Sequence, residues 1–271
     1  MRGLFLRPLP ARVLAAAVGL GALLLGPLDS QAADPQKPPA SSGWTFQVSP
    51  YLWASGIQGT VGVSSRLPPA KVNISFDDVF NHIDWPAAVF FTADARSPDQ
   101  RWGIFNDFEY IKLDADAATR GRLFGSATLT MTNLTDTLEV GYRFVDQRSL
   151  KMDVMGGVRI FSITNELGLT SGILMGRSDS ANETWADPVI GGRFKLDVGG
   201  TNFFINGYAD IGGMGLNSDL TWQFYGGGGY NFNNWLTGYF AYRYLNVQHE
   251  DGGFVYDIVQ QGPLACIGIH F

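Results

Sequence analysis

The sequence predicts an all-β protein: a single antiparallel transmembrane β-barrel of about ten strands, with eight and twelve as the alternatives. Three observations predict it. The last ten residues, GPLACIGIHF, alternate back from Phe271 through Ile269, Ile267 and Ala265, with His270, Gly268 and Cys266 between them. An alternating strand that ends on an aromatic suits the closing strand of a barrel where it meets the membrane interface. The 34 glycines, 19 phenylalanines, 10 tyrosines and 7 tryptophans are spread through alternating segments instead of gathering into continuous apolar runs. Beyond the first 32 residues, no stretch approaches the ~20 apolar residues that a spanning helix needs, so a crossing has to be made by strands.

From the N-terminus, Arg2, Arg7 and Arg12 form a basic region, and Val13 to Leu28 is a mostly apolar run broken by Gly19, Gly21, Gly26 and Pro27. Ser30-Gln31-Ala32 then offers small residues where a signal peptidase reads them. Residues 1–32 are therefore expected to be a cleaved secretory signal, and 33–43 a Pro-rich disordered periplasmic linker. That linker is too short for a separate peptidoglycan-binding domain. Cys266 is the only cysteine, which leaves no lipobox and no disulfide framework. Removing residues 1–32 takes away three arginines and Asp29, so the formal net charge moves from −6 to −8. A chain this acidic is a poor nucleic-acid binder, because neutralising phosphates needs basic patches.

The barrel itself is expected over 44–271, in strands near 44–54, 85–96, 101–113, 126–145, 149–170, 183–198, 201–212, 218–232, 235–249 and 254–271. Face patterns carry this reading. In 218–232, Leu220, Trp222, Phe224, Tyr230 and Phe232 share one face, while Asp219, Thr221, Gln223 and Asn231 share the other. Period two, apolar towards lipid and polar towards a lumen, is the barrel signature. The connections 97–100, 146–148, 199–200 and 233–234 are tight turns rich in Gly, Asn, Asp or Pro. Those at 55–84, 114–125 and 171–182 are longer. Short periplasmic turns and longer external loops set the chain direction, with Phe271 at the periplasm. Interface aromatics follow from that direction: Trp44, Trp102, Phe144, Phe232, Trp235 and Phe271 at the periplasmic side, and Trp85, Tyr110, Trp222 and Tyr244 towards the external rim.

The first external loop, 55–84, has its own pattern. Gly56 to Val63 and Lys71 to Phe76 read as a short hairpin around Leu67-Pro68-Pro69. Phe76, Val79, Phe80 and Ile83 then recur at helical spacing after Ser75, with Asp77 and Asp78 in the first turn. A helix over 76–83 is expected, packed at or into the external mouth, since two turns cannot stand alone.

Charged residues expected to line the lumen are Asp94, Arg96, Asp107, Glu109, Glu139, Arg143, Asp153, Arg159, Asp187, Arg193, Lys195, Asp197, Asp210, Arg243 and Asp257. They could form a selectivity lining. A space-filling network of ion pairs fits a barrel this narrow better. His249, near Glu250, Asp251 and Ser218, is the best candidate general base for a lipid or envelope hydrolase, but chain proximity alone does not make a triad. His82 and His270 have no obvious partners. Gly226 to Gly229 opens no helix and so is no phosphate loop; glycine there lets a strand bend or an aromatic lie flat on it. No metal-ligand cluster appears, and no cofactor is expected.

Trp44 to Gly62 (WTFQVSPYLWASGIQGTVG), Trp185 to Phe194 (WADPVIGGRF), Asp210 to Tyr230 (DIGGMGLNSDLTWQFYGGGGY), Tyr242 to Leu245 (YRYL) and the closing GP-to-F segment resemble a family of uncharacterised Gram-negative outer-membrane β-barrel proteins. In scale the chain is similar to the small outer-membrane protein A-like barrels. The resemblance covers nearly all of 44–271. It implies a monomer in the outer membrane, and it brings no catalytic residues. The partners expected are outer-membrane lipid and, through the terminal Phe271, the barrel-assembly machinery. The function expected is non-enzymatic: a structural envelope protein or a narrow small-solute pore. A hydrolase using His249 and a transporter of apolar ligands through a lateral opening are the alternatives.

Overall fold

The computed structural model describes residues 43–64, 67, 69–76, 83–117 and 124–271. The expected signal peptide, all of the linker but Gly43, and residues 77–82 of the expected loop helix, with His82, lie outside the described residues. Twelve strands follow in chain order: β1 (Thr45–Trp53), β2 (Gly56–Gly62), β3 (Ala70–Ile74), β4 (Ile83–Arg96), β5 (Trp102–Ala117), β6 (Phe124–Asp146), β7 (Leu150–Ser171), β8 (Arg177–Asp197), β9 (Phe203–Gly212), β10 (Leu220–Asn231), β11 (Leu236–Asp251) and β12 (Phe254–His270). Ten of them, β1 and β4 to β12, close an antiparallel barrel.

Closure falls on β1. One edge pairs with β12, in the register Gln47↔His270 and Tyr51↔Cys266, and the other with β4, in the register Thr45↔Arg96. The Phe46 N–H donates to the Phe271 carbonyl at 2.8 Å, and the Phe271 N–H donates back to the Phe46 carbonyl at 2.9 Å. The terminal aromatic is thereby fixed at the seam, and the sheet edge that would otherwise recruit other chains is paired.

Alternation decides what each face meets. Val48, Leu52, Leu138, Val140, Val154, Ile190, Ile205, Phe240 and Ile267 point outward and are exposed, the band that lipid covers. Trp44, Trp102, Trp235, Phe232 and Phe271 are exposed at the ends joined by the tight turns. At the opposite end Trp222 stacks on Tyr244, with ring centroids 4.8 Å apart. The side chain of Trp85 lies outside the described residues.

Two expected loops are largely strand. β7 and β8 pair up to Leu169↔Arg177, which leaves 172–176 as their connection where 171–182 was expected. β5 likewise runs to Ala117, paired with Ala127 of β6. The physical reason is on the outer face, which turns polar beyond the bilayer: Thr164 and Glu166 on β7, Asn182 and Ser180 on β8. Loss of outward hydrophobicity reads as a loop in sequence. The backbone ladder nonetheless continues, because Ile163 and Leu167 still bury inward. β7 has 22 residues, about twice the ~9–11 needed to cross, so this wall stands well above the membrane.

β2 and β3 form the expected hairpin. β2 extends the wall along the external half of β12, in the register Gly62↔Val255 to Gly56↔Gln261, and β3 pairs back on β2. The hairpin then leans across the mouth. Ser64 Oγ donates to Asp179 Oδ2 on β8 at 2.6 Å. Ile57, Val61, Val63, Leu67 and Val72 join Leu129, Met131, Phe161, Ile163, Leu167, Trp185, Leu245, Phe254 and Tyr256 in one buried apolar cluster. Each fully buried aliphatic side chain there contributes about 1.5–3 kcal/mol.

Candidate functional site: the lumen

The interior is stratified. Beneath the apolar external layer lies a polar layer supplied by several strands around the ring. Arg243 of β11 sits at its centre. Its Nη2 lies 2.5 Å from Glu109 Oε1 and 3.0 Å from Asp107 Oδ2 of β5. Nη1 donates to Tyr51 Oη of β1 at 3.0 Å and Nε to Gln223 Oε1 of β10 at 3.0 Å, with the guanidinium over the Trp53 ring. Tyr51 Oη in turn donates to Asp107 at 2.8 Å.

Arg159 of β7 holds the adjoining half. Its Nη2 donates to Asp210 Oδ2 of β9 at 2.5 Å and its Nε to Thr137 Oγ1 of β6 at 3.0 Å. Tyr208 Oη lies 2.6 Å from the same Asp210 oxygen and 2.8 Å from Glu139 Oε2. Buried charges persist only when paired in this way. The layer excludes water: Glu139 is 0 %, Arg159 1 %, Thr221 0 %, Gln223 1 % and Arg243 2 % exposed.

Towards the periplasm a second cluster forms around Asp153, which accepts from Arg143 Nε at 2.9 Å, Arg193 Nε at 2.8 Å and Arg96 Nη2. Arg193 Nη1 also reaches Asp94 at 2.5 Å. Lys195 pairs with Asp197 at 3.8 Å beside the rim. These side chains surround a vestibule of about 550 Å³.

Asp187 is buried in the external layer, where it accepts from Ser218 N–H at 2.9 Å and Ser218 Oγ at 2.5 Å. His249 stacks on Trp185 with ring centroids 3.9 Å apart, and its Nδ1 lies 2.9 Å from the Asn217 carbonyl. Trp185 Nε1 donates to Ser218 Oγ at 2.8 Å. Serine, histidine and aspartate are thus neighbours, but the hydroxyl is committed to the carboxylate and the imidazole bonds neither. His270 faces the vestibule, with Nε2 3.2 Å from Thr237 Oγ1.

Asp257 corrects the expected lining. It is exposed on the outer face of β12, because the strand runs from Phe254 to His270 without a bulge and Asp257 therefore shares the odd-numbered face of Ile267, Ile269 and Phe271. The remaining charged side chains expected in the lumen lie on inward faces. Sequence reasoning placed Gln223 on the polar face and missed the other neutral members of the polar layer, Tyr51, Thr137 and Tyr208. Their signal was available: each shares strand parity with a charged or polar inward neighbour. Lys151 was missed too, although its parity with Asp153 places it inward.

Comparison with known protein families finds no match, and neither does comparison with curated proteins. Solved structures do match. The outer membrane protease OmpT from Escherichia coli aligns with a TM-score of 0.50 at 9% identity, covering 89% of this chain and 99% of that one. The translocator domain of the autotransporter NalP from Neisseria meningitidis gives 0.49 at 13%, covering 95% and 93%. Ail, the attachment invasion locus protein of Yersinia pestis, gives 0.34 at 10%, covering 85% and 100%. At these identities the likeness is one of fold. Closed barrel, lipid-facing band and turn asymmetry define this chain as a Gram-negative outer-membrane β-barrel protein.

Proposed function

We propose that this protein is a non-enzymatic, closed barrel of the outer membrane, a structural envelope protein in place of an open solute pore. The observation that carries this reading is the solid polar layer, in which Glu139, Arg159, Thr221, Gln223 and Arg243 are each no more than 2 % exposed. Moving a solute past it would require breaking several buried ion pairs at once, each costing about 3–5 kcal/mol. The hydrogen bonding of Ser218 and His249 supports the absence of hydrolytic chemistry, since a nucleophile needs its base within bonding reach. A monomeric state and engagement of the assembly machinery through Phe271 belong to the same reading; Phe271 is 69 % exposed at the closing seam.

Reconstitution tests the reading. In planar bilayers the protein is expected to give no discrete conductance, and vesicles of phosphatidylglycerol and phosphatidylethanolamine holding it are expected to keep their acyl chains intact. Stable conductance steps would remove the closed barrel, and release of fatty acid abolished by His249→Ala would remove the non-enzymatic assignment.

A further inference from the structure

The periplasm-facing vestibule has an unusual charge balance. Arg96, Arg143, Lys151, Arg193 and Lys195 line it against the carboxylates of Asp94 and Asp153. The three guanidinium groups already converge on those two carboxylates, which leaves the lysines. Lys151 and Lys195 stand directly opposite each other across β7 and β8. Like charges in that relation are destabilising. Lys195 has Asp197 at 3.8 Å and the Phe204 ring at 4.3 Å. Asp146, in register with Lys151, lies 3.9 Å from Arg143; among the described residues Lys151 makes no ion pair of its own.

Arg96 adds an independent observation. It lines the vestibule, is 6 % exposed, and its Nη1 is a buried donor without a hydrogen-bond partner. A buried charged donor left without a partner loses its hydration with nothing in return. A cavity many times the ~30 Å³ share of one water, lined by five cationic side chains of which Lys151 has no ion pair among the described residues, and with an unused guanidinium donor on its wall, has the character of an anion site.

We propose that the vestibule binds a phosphate-bearing anion, bridged between Lys151 and Lys195 with Arg96 as a further donor. A phosphate monoester carries about −1.5 to −2 at neutral pH and offers three acceptor oxygens, which suits two facing ammonium groups better than a single carboxylate does. Phe105, Tyr225 and Tyr239 provide an apolar wall for an organic body. The strand ends open the site to periplasmic water, so the phosphate is either that of a soluble ester or that of an inner-leaflet lipid headgroup.

The test is calorimetric titration of inorganic phosphate into the full barrel, folded in a nonionic detergent and phosphate-free buffer. Saturable one-to-one binding is expected, weakened at least tenfold by the double substitution Lys151→Gln and Lys195→Gln and unchanged by Lys112→Gln on the outer face. Phosphatidic acid, whose headgroup is a phosphate monoester, is added to the micelles to assign the source: competition marks the lipid headgroup, and its absence marks a soluble phosphate. Heat-modifiable gel mobility verifies folding. Should the double variant fail to fold, each single substitution is titrated instead, with a loss of at least threefold expected. No saturable binding by the unsubstituted protein, or equal loss in Lys112→Gln, overturns the proposal. Neither result bears on the closed barrel, which the conductance measurement judges separately.

Discussion

Gly226 to Gly229 form one run in the sequence and two populations in the barrel. A Cβ added at Gly227 would collide with the Phe240 carbonyl oxygen and Ala241, and one at Gly229 with the Phe204 ring and the Gly238 carbonyl. At Gly226 and Gly228 the nearest atoms would be 3.9 and 3.6 Å away, ordinary contact. The inward pair lets β10 approach β11 closely and lets Phe204 lie flat on the strand, while the outward pair faces lipid. Gly227→Ala and Gly229→Ala are expected to cost about 1–3 kcal/mol each, and Gly226→Ala and Gly228→Ala less than about 0.5 kcal/mol. Urea unfolding from detergent micelles measures the difference. The run of glycines and the reason for it were both legible in the sequence. Which two carry it was not, because that depends on how closely β9 and β11 approach β10.

The β2–β3 hairpin was legible as an element and not as a plug. Its glycines, prolines and short alternating arms mark a turn with two strands, yet nothing local indicates that Val61 and Val63 bury in one cluster with Phe161, Ile163 and Trp185 of β7 and β8. That packing follows from chain geometry. β1 ends at Trp53, so β2 takes over its pairing on β12 and is aimed over the mouth. Val61 is 1 % exposed, and a carboxylate there would have no partner in the apolar cluster, which forces the hairpin to open. Val61→Asp is therefore expected to speed tryptic cleavage after Lys71 by at least about tenfold, the factor that corresponds to ~1.4 kcal/mol of local opening. Cleavage of folded protein at an unchanged rate would show that the hairpin is not held by this cluster.

The barrel as a whole stands in two solvents, and its outer face records the boundary. Leu138 on β6 lies in the lipid band, while Thr164 on β7 lies above it, with polar neighbours on either side. An arginine at position 138 is expected to cost about 2–4 kcal/mol, as charges near mid-bilayer do, and one at 164 less than about 0.5 kcal/mol. Folding titrations into phosphatidylcholine vesicles read both. The sequence by itself determined strand alternation, chain direction, the closing aromatic and nearly all of the inward charges, because period two is a property of each strand alone and needs no knowledge of neighbours. Asp257 is the exception: its odd position on β12 puts it on the outward face with Ile267 and Ile269. Tertiary structure alone decided the pairings: that Arg243 meets Glu109 and Tyr51, that Arg159 meets Asp210, and that Lys151 stands beside Lys195 on the vestibule wall. Ring closure and strand stagger set which inward side chains stand at the same depth, and both are properties of the assembled barrel, written in no single strand.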